Sequence, residues 1–160
     1  MTINKDSQLP FGKNRGITPA QLSLTEEGRS YLAWGAEKLN NAAWRAAFSD
    51  ALRSQPAEFD EAAVRKIAER SADPIEDPYG RSIEADVEQA RARFEINKRE
   101  AEVYERYAAE LGMGVDKLKA TFLRWNVDVE RSNFTSEAKY QAWLLMGNEL
   151  NDLFAAYYRA

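Results

Sequence analysis

One face of a single long helix constrains this chain more than any other feature of its sequence. Its side chains recur at alternating spacings of four and three, with one polar member: Ile83, Val87, Ala90, Phe94, Asn97, Ala101, Tyr104, Ala108 and Leu111. This spacing is typical of a helix that packs one face along its whole length. Ser82 suits the N-cap position, and Gly112 follows the last member of the pattern. We therefore expect a long helix near residues 82–111.

The charges beside this face bear on whether the helix pairs with a copy of itself. With Ile83 at heptad position d, a parallel dimer would pair Asp86 with Arg91, Arg93 with Lys98, and Glu100 with Glu105. Only the first pair is attractive, which argues against a parallel coiled coil. We expect the helix to pack with the two C-terminal helices in a helical bundle, and an antiparallel or domain-swapped homodimer is the alternative.

The remaining periodic segments predict a mostly α fold with about six helices in all. Thr25 is typical of a helix N-cap, and Glu26 and Glu27 suit the first turn that follows. Besides the long helix, we expect helices near residues 25–39, 41–52, 57–70, 115–129 and from 135 nearly to the end. Ahead of them, a loose tail is expected at residues 1–8. Leu9 to Ile17, with its two glycines, predicts a small N-terminal β-hairpin or loop element.

Composition and the positions of proline and glycine divide the chain into three predicted parts. Residues 1–55 form a module with two helices, residues 56–80 hold a helix and a proline-rich linker, and residues 81–160 form a helical bundle or coiled-coil-like region. The linker lies at Asp73–Gly80, where two prolines and a glycine cannot continue a helix. Charge is also uneven, because residues 1–55 carry seven Lys/Arg against five Asp/Glu, whereas residues 56–160 carry 15 against 21. The glycine-containing loop therefore lies in the more basic part.

The sequence contains neither cysteine nor histidine, which removes most familiar catalytic groups. Thiolate nucleophiles, disulfides and the commonest general base and metal ligand are all excluded. Carboxylates do cluster in two places: Asp73, Glu76 and Asp77, and Glu58, Asp60 and Glu61. Acids beside prolines and in first helical turns usually serve solubility and the helix dipole rather than a hard cation. We expect a non-enzymatic protein without a metal or cofactor.

Hydropathy predicts a soluble, cytoplasmic protein. The segment from Met1 to Gln8 is polar and has no apolar core, so a signal peptide is not expected. No run approaches the roughly 18 apolar residues that a membrane-spanning helix needs. The net charge of −4 argues against indiscriminate coating of nucleic acid.

The segment Pro10-Phe11-Gly12-Lys13-Asn14-Arg15-Gly16 combines two glycines, two cations and an aromatic residue. Glycines allow successive backbone amides to turn toward an anion, and Lys13 and Arg15 add positive charge. Phe11, Tyr31 and Trp34 offer surfaces on which an unpaired base could stack. The spacing is not that of a phosphate-binding P-loop, since only three residues separate Gly12 from Gly16. The alternative is a tight hairpin with its aromatic residues in the core and two solvated cations.

This opening motif, followed by Tyr31-Leu32-x-Trp34, resembles the small module at the carboxy end of exodeoxyribonuclease X-like proteins. The same module occurs in short bacterial and phage proteins, some of them labelled quorum-sensing-regulated virulence factors. The resemblance covers about residues 9–55, with Asn41 to Leu52 in the place of the module's second helix. The connection between Gly16 and Tyr31 is about five residues longer here than in that family. The resemblance implies a nucleic-acid-processing context, but it does not include the family's exonuclease domain.

Two functions are compatible with these observations. The first is a non-enzymatic nucleic-acid-binding or DNA-metabolism accessory protein of a phage or bacterium, which contacts single-stranded or branched nucleic acid through the N-terminal module. Its site would comprise Phe11, Gly12, Lys13, Arg15, Gly16, Tyr31 and Trp34. The alternative is a protein-binding adaptor, or an inhibitor of a host enzyme, that acts through the acidic helical region. In either case residues 81–160 would provide a protein partner's surface or a homodimer contact.

Overall fold

The computed structural model of the chain describes residues 2–71, 82–124 and 129–159. Within these ranges the regular structure is helical and contains no strand, so the predicted mostly α fold is confirmed. The helices are α1 (Pro19–Leu22), α2 (Glu26–Lys38), α3 (Ala42–Arg53), α4 (Glu61–Ser71), α5 (Ile83–Leu111), α6 (Val115–Arg124) and α7 (Glu137–Arg159). A short 3₁₀ helix, Arg131–Asn133, precedes α7. The predicted linker at Asp73–Gly80 lies outside the described residues.

Side-chain caps fix where several of these helices begin. Thr25 accepts a hydrogen bond from the backbone N–H of Gly28 at 2.9 Å, as expected for the start of α2. Asn41 accepts from the N–H groups of Ala43 and Trp44 at the start of α3. Helix α4 begins later than predicted. The carboxylate of Asp60 accepts a hydrogen bond from the N–H of Ala63 at 2.9 Å and so caps the helix at this point.

The predicted N-terminal β-hairpin is not present, and the loop alternative is what the structure contains. Leu9 donates its N–H to the carbonyl of Ile17 at 3.0 Å, and Gly16 donates to the carbonyl of Leu9 at 2.8 Å. A regular ladder would have continued outward from this pair. Instead the N–H of Ile17 donates to the carbonyl of Asn14 at 3.0 Å. This hydrogen bond closes a turn, so Ile17 does not donate to Leu9 as it would in a strand pair.

The loose tail predicted at residues 1–8 is also wrong for its described part, because Ile3 and Lys5 contact the N-terminal helices. Ile3 is partly buried against the core of the N-terminal helices. The carbonyl of Lys5 accepts from the N–H of Ala20 at 2.9 Å, and its ammonium group donates to the hydroxyl of Ser54 at 2.9 Å. One apolar side chain and two hydrogen bonds are enough to order a short polar segment.

The chain divides into two compact units, Met1–Phe94 and Glu95–Ala160, with the boundary inside α5. The earlier division at residues 55 and 80 stays a prediction. In the first unit, one buried cluster joins the loop to α1–α4 through Leu9, Ile17, Leu22, Leu32, Trp44, Ala47, Phe48, Ala51 and Ile67. A second cluster places Leu24 and Val64 against Val87, Ala90 and Phe94 of α5.

The second unit has a core of its own, built from α5, α6 and α7. The C-terminal half of α5 contributes Tyr104, Tyr107 and Leu111, among others, and these pack with Leu118 and Phe122 of α6. Helix α7 adds Ala142, Trp143, Met146 and Leu150. The expected packing of the long helix with the two C-terminal helices is therefore present within this unit. None of the described helices is long and apolar enough to cross a membrane.

Candidate nucleic-acid interface

The glycine-bracketed loop depends on backbone conformations that few other residues adopt. Gly12 has φ of 70° and Gly16 has φ of 80°, both in the left-handed region. A Cβ atom on Gly12 would also lie 3.4 Å from the hydroxyl of Tyr31. Gly12 therefore allows the loop to lie close to Tyr31 of α2, and Gly16 allows the chain to turn back toward Leu9.

Three backbone amides at the end of the loop are used within the chain. Arg15 donates its N–H to the carbonyl of Gly12 at 3.3 Å, and the N–H groups of Gly16 and Ile17 donate to the carbonyls of Leu9 and Asn14. These three N–H groups are therefore not directed at an external anion.

Three cations gather around the loop. Lys13 forms an ion pair with Glu27 of α2, with Nζ and Oε1 separated by 2.7 Å. Arg15 is exposed and donates Nε–H to the carbonyl of Pro10 at 2.9 Å. Arg70, in the last turn of α4, donates to the carbonyls of Lys13 and Arg15 at 3.0 and 3.2 Å. The structure thus adds Arg70 to the two cations that the sequence motif contains.

Four ring contacts connect five aromatic side chains from the loop to the surface of α2. Phe11 meets Trp44 edge-on with centroids 5.6 Å apart, and Trp44 contacts Phe48 at 6.3 Å. Phe48 contacts Tyr31 at 5.8 Å, and Tyr31 stacks on Trp34 at 5.8 Å with 28° between the ring planes. This aromatic series begins in the core and ends at Trp34, whose side chain is 53% exposed.

The predicted aromatic residues therefore have different roles in the structure. Phe11 is partly buried and packs against the core cluster, as does Tyr31. Trp34 is the one of the three that presents most of its surface to solvent. Burial raises the pKa of the Tyr31 hydroxyl, whereas the nearby charge of Lys13 acts to lower it. Tyr31 therefore belongs to the aromatic series and also lies within the electrostatic reach of Lys13.

Two residues that contact the loop were not predicted to do so from the sequence. Arg70 lies 57 positions from Lys13 along the chain, and only the packing of α4 brings it to the loop. Glu27 was assigned to the first turn of α2, where it does lie, but its ion pair with Lys13 was not expected. Local sequence patterns carry no signal for either contact, since both join separate elements.

Two of the carboxylates considered as metal ligands, Asp60 and Glu61, have other partners. Asp60 accepts from Gln21 at 2.8 Å as well as from the N–H of Ala63. Glu61 pairs with Arg65 and Arg91. Within the described ranges, no group of three or more acidic residues is arranged to hold a metal ion. Asp73, Glu76 and Asp77 lie outside those ranges.

No protein-family model, curated protein or solved structure matches this chain.

Proposed function

We propose that this chain is a non-enzymatic nucleic-acid-binding protein that contacts its ligand through the loop at Gly12–Gly16 and the adjoining face of α2. The observation that carries the proposal is the contiguity of charge and exposed aromatic surface. Lys13, Arg15 and Arg70 surround the loop, and Tyr31 links the loop to the exposed ring of Trp34. The resemblance of the motif to the exodeoxyribonuclease X-like module supports the same function.

The cations suit phosphate because each keeps an exposed charged group. Lys13 and Arg15 are exposed, and the Lys13–Glu27 pair holds the ammonium group at the rim of the loop. Exposed ion pairs contribute little to folding, so replacing Glu27 by a phosphate would sacrifice little stability. Release of counterions from the nucleic acid would then provide most of the binding free energy.

The test is a fluorescence-anisotropy titration of short single- and double-stranded DNA and RNA at two salt concentrations. We expect saturable binding that weakens with salt. Reversal of two charges in Lys13→Glu/Arg15→Glu should abolish it, and the neutral pair Lys13→Gln/Arg15→Gln should lower the salt dependence of log K by about two. The neutral pair matters because Arg15 also donates to Pro10 and its reversal could disturb the loop.

The matched control is Lys98→Glu/Lys117→Glu, which makes the same change in net charge on exposed residues of the second unit. It should leave binding nearly unchanged if the loop is the contact surface. Equal losses in the two charge-reversed proteins would show a non-specific charge effect instead. Unchanged affinity in both loop variants would refute the assigned surface.

A second candidate function is binding of a protein partner through the second unit. Leu123, Leu145 and Tyr158 are 67%, 55% and 82% exposed, and a partner that covered them would remove apolar surface from water. This function becomes the one to pursue if no nucleic acid binds at low salt.

A further inference from the structure

We propose that the ligand is an unpaired strand, with one base stacked on Trp34 and the adjoining phosphates held by Lys13, Arg15 and Arg70. This inference rests on the proposed function and deepens it in two respects. It selects single-stranded over double-stranded nucleic acid, and it adds Arg70, from outside the motif, to the binding residues.

Trp34 is prepared for stacking because one side of its ring is already supported. Tyr31 lies beneath it at 5.8 Å, and Tyr31 is in turn packed against Phe48. By contrast, Trp44 and Trp143 are 6% and 5% exposed and belong to the cores of their units. A ring that is fixed on one face and open on the other loses little conformational freedom when a base stacks on it.

The loop that carries Lys13 and Arg15 lies beside Tyr31, the ring on which Trp34 stacks. The hydroxyl of Tyr31 approaches Gly12, and Lys13 follows directly in the chain. Arg70 donates to the carbonyls of both Lys13 and Arg15, which holds its guanidinium group against the backbone of the loop. A strand whose base lies on Trp34 would therefore carry its backbone toward three positive charges.

This arrangement distinguishes an unpaired strand from a duplex. In a duplex each base is stacked between its neighbours, so its face is not available to Trp34. A duplex could offer only its phosphates to the three cations. Single strands should consequently bind more tightly than duplexes of the same length and at the same salt concentration.

The experiment compares three probes: an oligothymidylate of about 15 nucleotides, an abasic strand of the same length, and a blunt duplex. The abasic strand keeps the phosphates but has no base to stack. We expect Trp34→Ala to weaken oligothymidylate binding about tenfold and to leave abasic-strand binding unchanged. Trp34→Phe should retain most of the affinity. Leu145→Ala is the matched control, since Leu145 is also an exposed apolar residue within a helix.

Arg70 is tested separately because it also holds the loop carbonyls. Arg70→Gln should lower the salt dependence of log K by about one for both single-stranded probes, and Arg70→Lys should restore it. A purely structural role would weaken binding without changing the salt dependence, and that result would remove Arg70 from the binding residues.

The outcomes separate the two proposals. Failure of all three probes to bind would overturn the proposed function and this inference together. Binding of the duplex as tightly as the oligothymidylate, or an equal effect of Trp34→Ala on the abasic strand, would overturn the inference alone. A preference for oligothymidylate that disappears in Trp34→Ala would support both.

Discussion

At the scale of single residues, Gly12 and Gly16 both have a positive φ, but their surroundings differ. A Cβ atom at Gly12 would contact Tyr31, whereas one at Gly16 would meet no atom within 4 Å. A substitution at Gly16 therefore isolates the conformational cost of a positive φ from any steric clash. Gly114 offers a matched position, since it is equally open but has no positive φ.

We expect Gly16→Ala to lower the free energy of unfolding by about 1–2 kcal/mol, because an L-residue in the left-handed region is strained by that amount. Gly114→Ala should change it by much less. Urea denaturation of the two variants beside the unmodified protein provides the comparison. Similar small effects at both positions would mean that the loop adjusts its backbone at no cost.

The residues of the candidate site could be predicted only in part. Tyr31 and Trp34 are three positions apart in a helix, so their contact follows from helical geometry. The helix N-cap at Thr25 could also be predicted from the sequence, because it depends on residues that are close in sequence. Arg70 was not predictable, since its contacts with the loop depend on how α4 packs.

At the scale of elements, the packing of α2 on α3 depends on one glycine. A Cβ atom on Gly35 would lie 2.3 and 2.4 Å from two atoms of the Phe48 ring. Gly147, within α7, provides the opposite case. Its nearest neighbour would be the Phe122 ring at 3.6 Å, which is an ordinary van der Waals distance. The same substitution in two helix interiors should therefore have opposite effects.

Gly35→Ala is expected to destabilise the protein by about 1–3 kcal/mol, since the Phe48 ring must move away from the added methyl group. Gly147→Ala should stabilise it by roughly 0.4–1 kcal/mol through higher helix propensity and a less flexible unfolded chain. Both changes can be measured by thermal or urea unfolding. A stabilising effect of Gly35→Ala would show that α2 and α3 are not in close contact there.

Helical periodicity predicted the long helices but not the shortest one. Helices α2, α3, α5 and α7 are long enough for several turns of apolar spacing, so their existence followed from the pattern. Helix α1 has only four residues, too few for an apolar spacing to repeat, and was not among the predicted helices. The predicted N-terminal hairpin was wrong for a different reason. The spacing of the glycines indicates that the chain reverses direction, but a reversal does not require hydrogen-bonded strands on either side.

At the scale of the whole molecule, the two units have separate buried clusters. The first contains the loop and the aromatic series, and the second contains Tyr104, which is 1% exposed. The apolar spacing of α5 predicted Phe94 and Tyr104 on one face but could not show that they belong to different cores. That assignment depends on which helices pack against each half of α5.

Alkaline pH should destabilise the protein through Tyr104. Burial, together with the negative charge of Glu100, raises the pKa of its hydroxyl from 10.0 to about 12. The unfolded chain therefore loses this proton at a lower pH than the folded chain. The contribution is fully present below pH 10.0 and is lost as the pH rises toward about 12. We expect a loss of up to about 2 kcal/mol across this interval.

The measurement is urea unfolding between pH 8 and about 11, compared with Tyr104→Phe, which removes the titrating hydroxyl. The variant should lose less stability than the unmodified protein over that interval, because all the other tyrosines are retained. Parallel pH profiles for the two proteins would mean that Tyr104 titrates normally.

The ion pair between Lys13 and Glu27 has a consequence for selectivity under the proposed function. Any anion that binds Lys13 must compete with a carboxylate already held 2.7 Å from the ammonium group. A small ion such as chloride makes a single contact and gains little from that exchange. A polymer that also engages neighbouring groups gains through effective concentration, since its first contact brings the others within reach. Competition with Glu27 would thus weaken the binding of a single small anion much more than the binding of a strand with several phosphates.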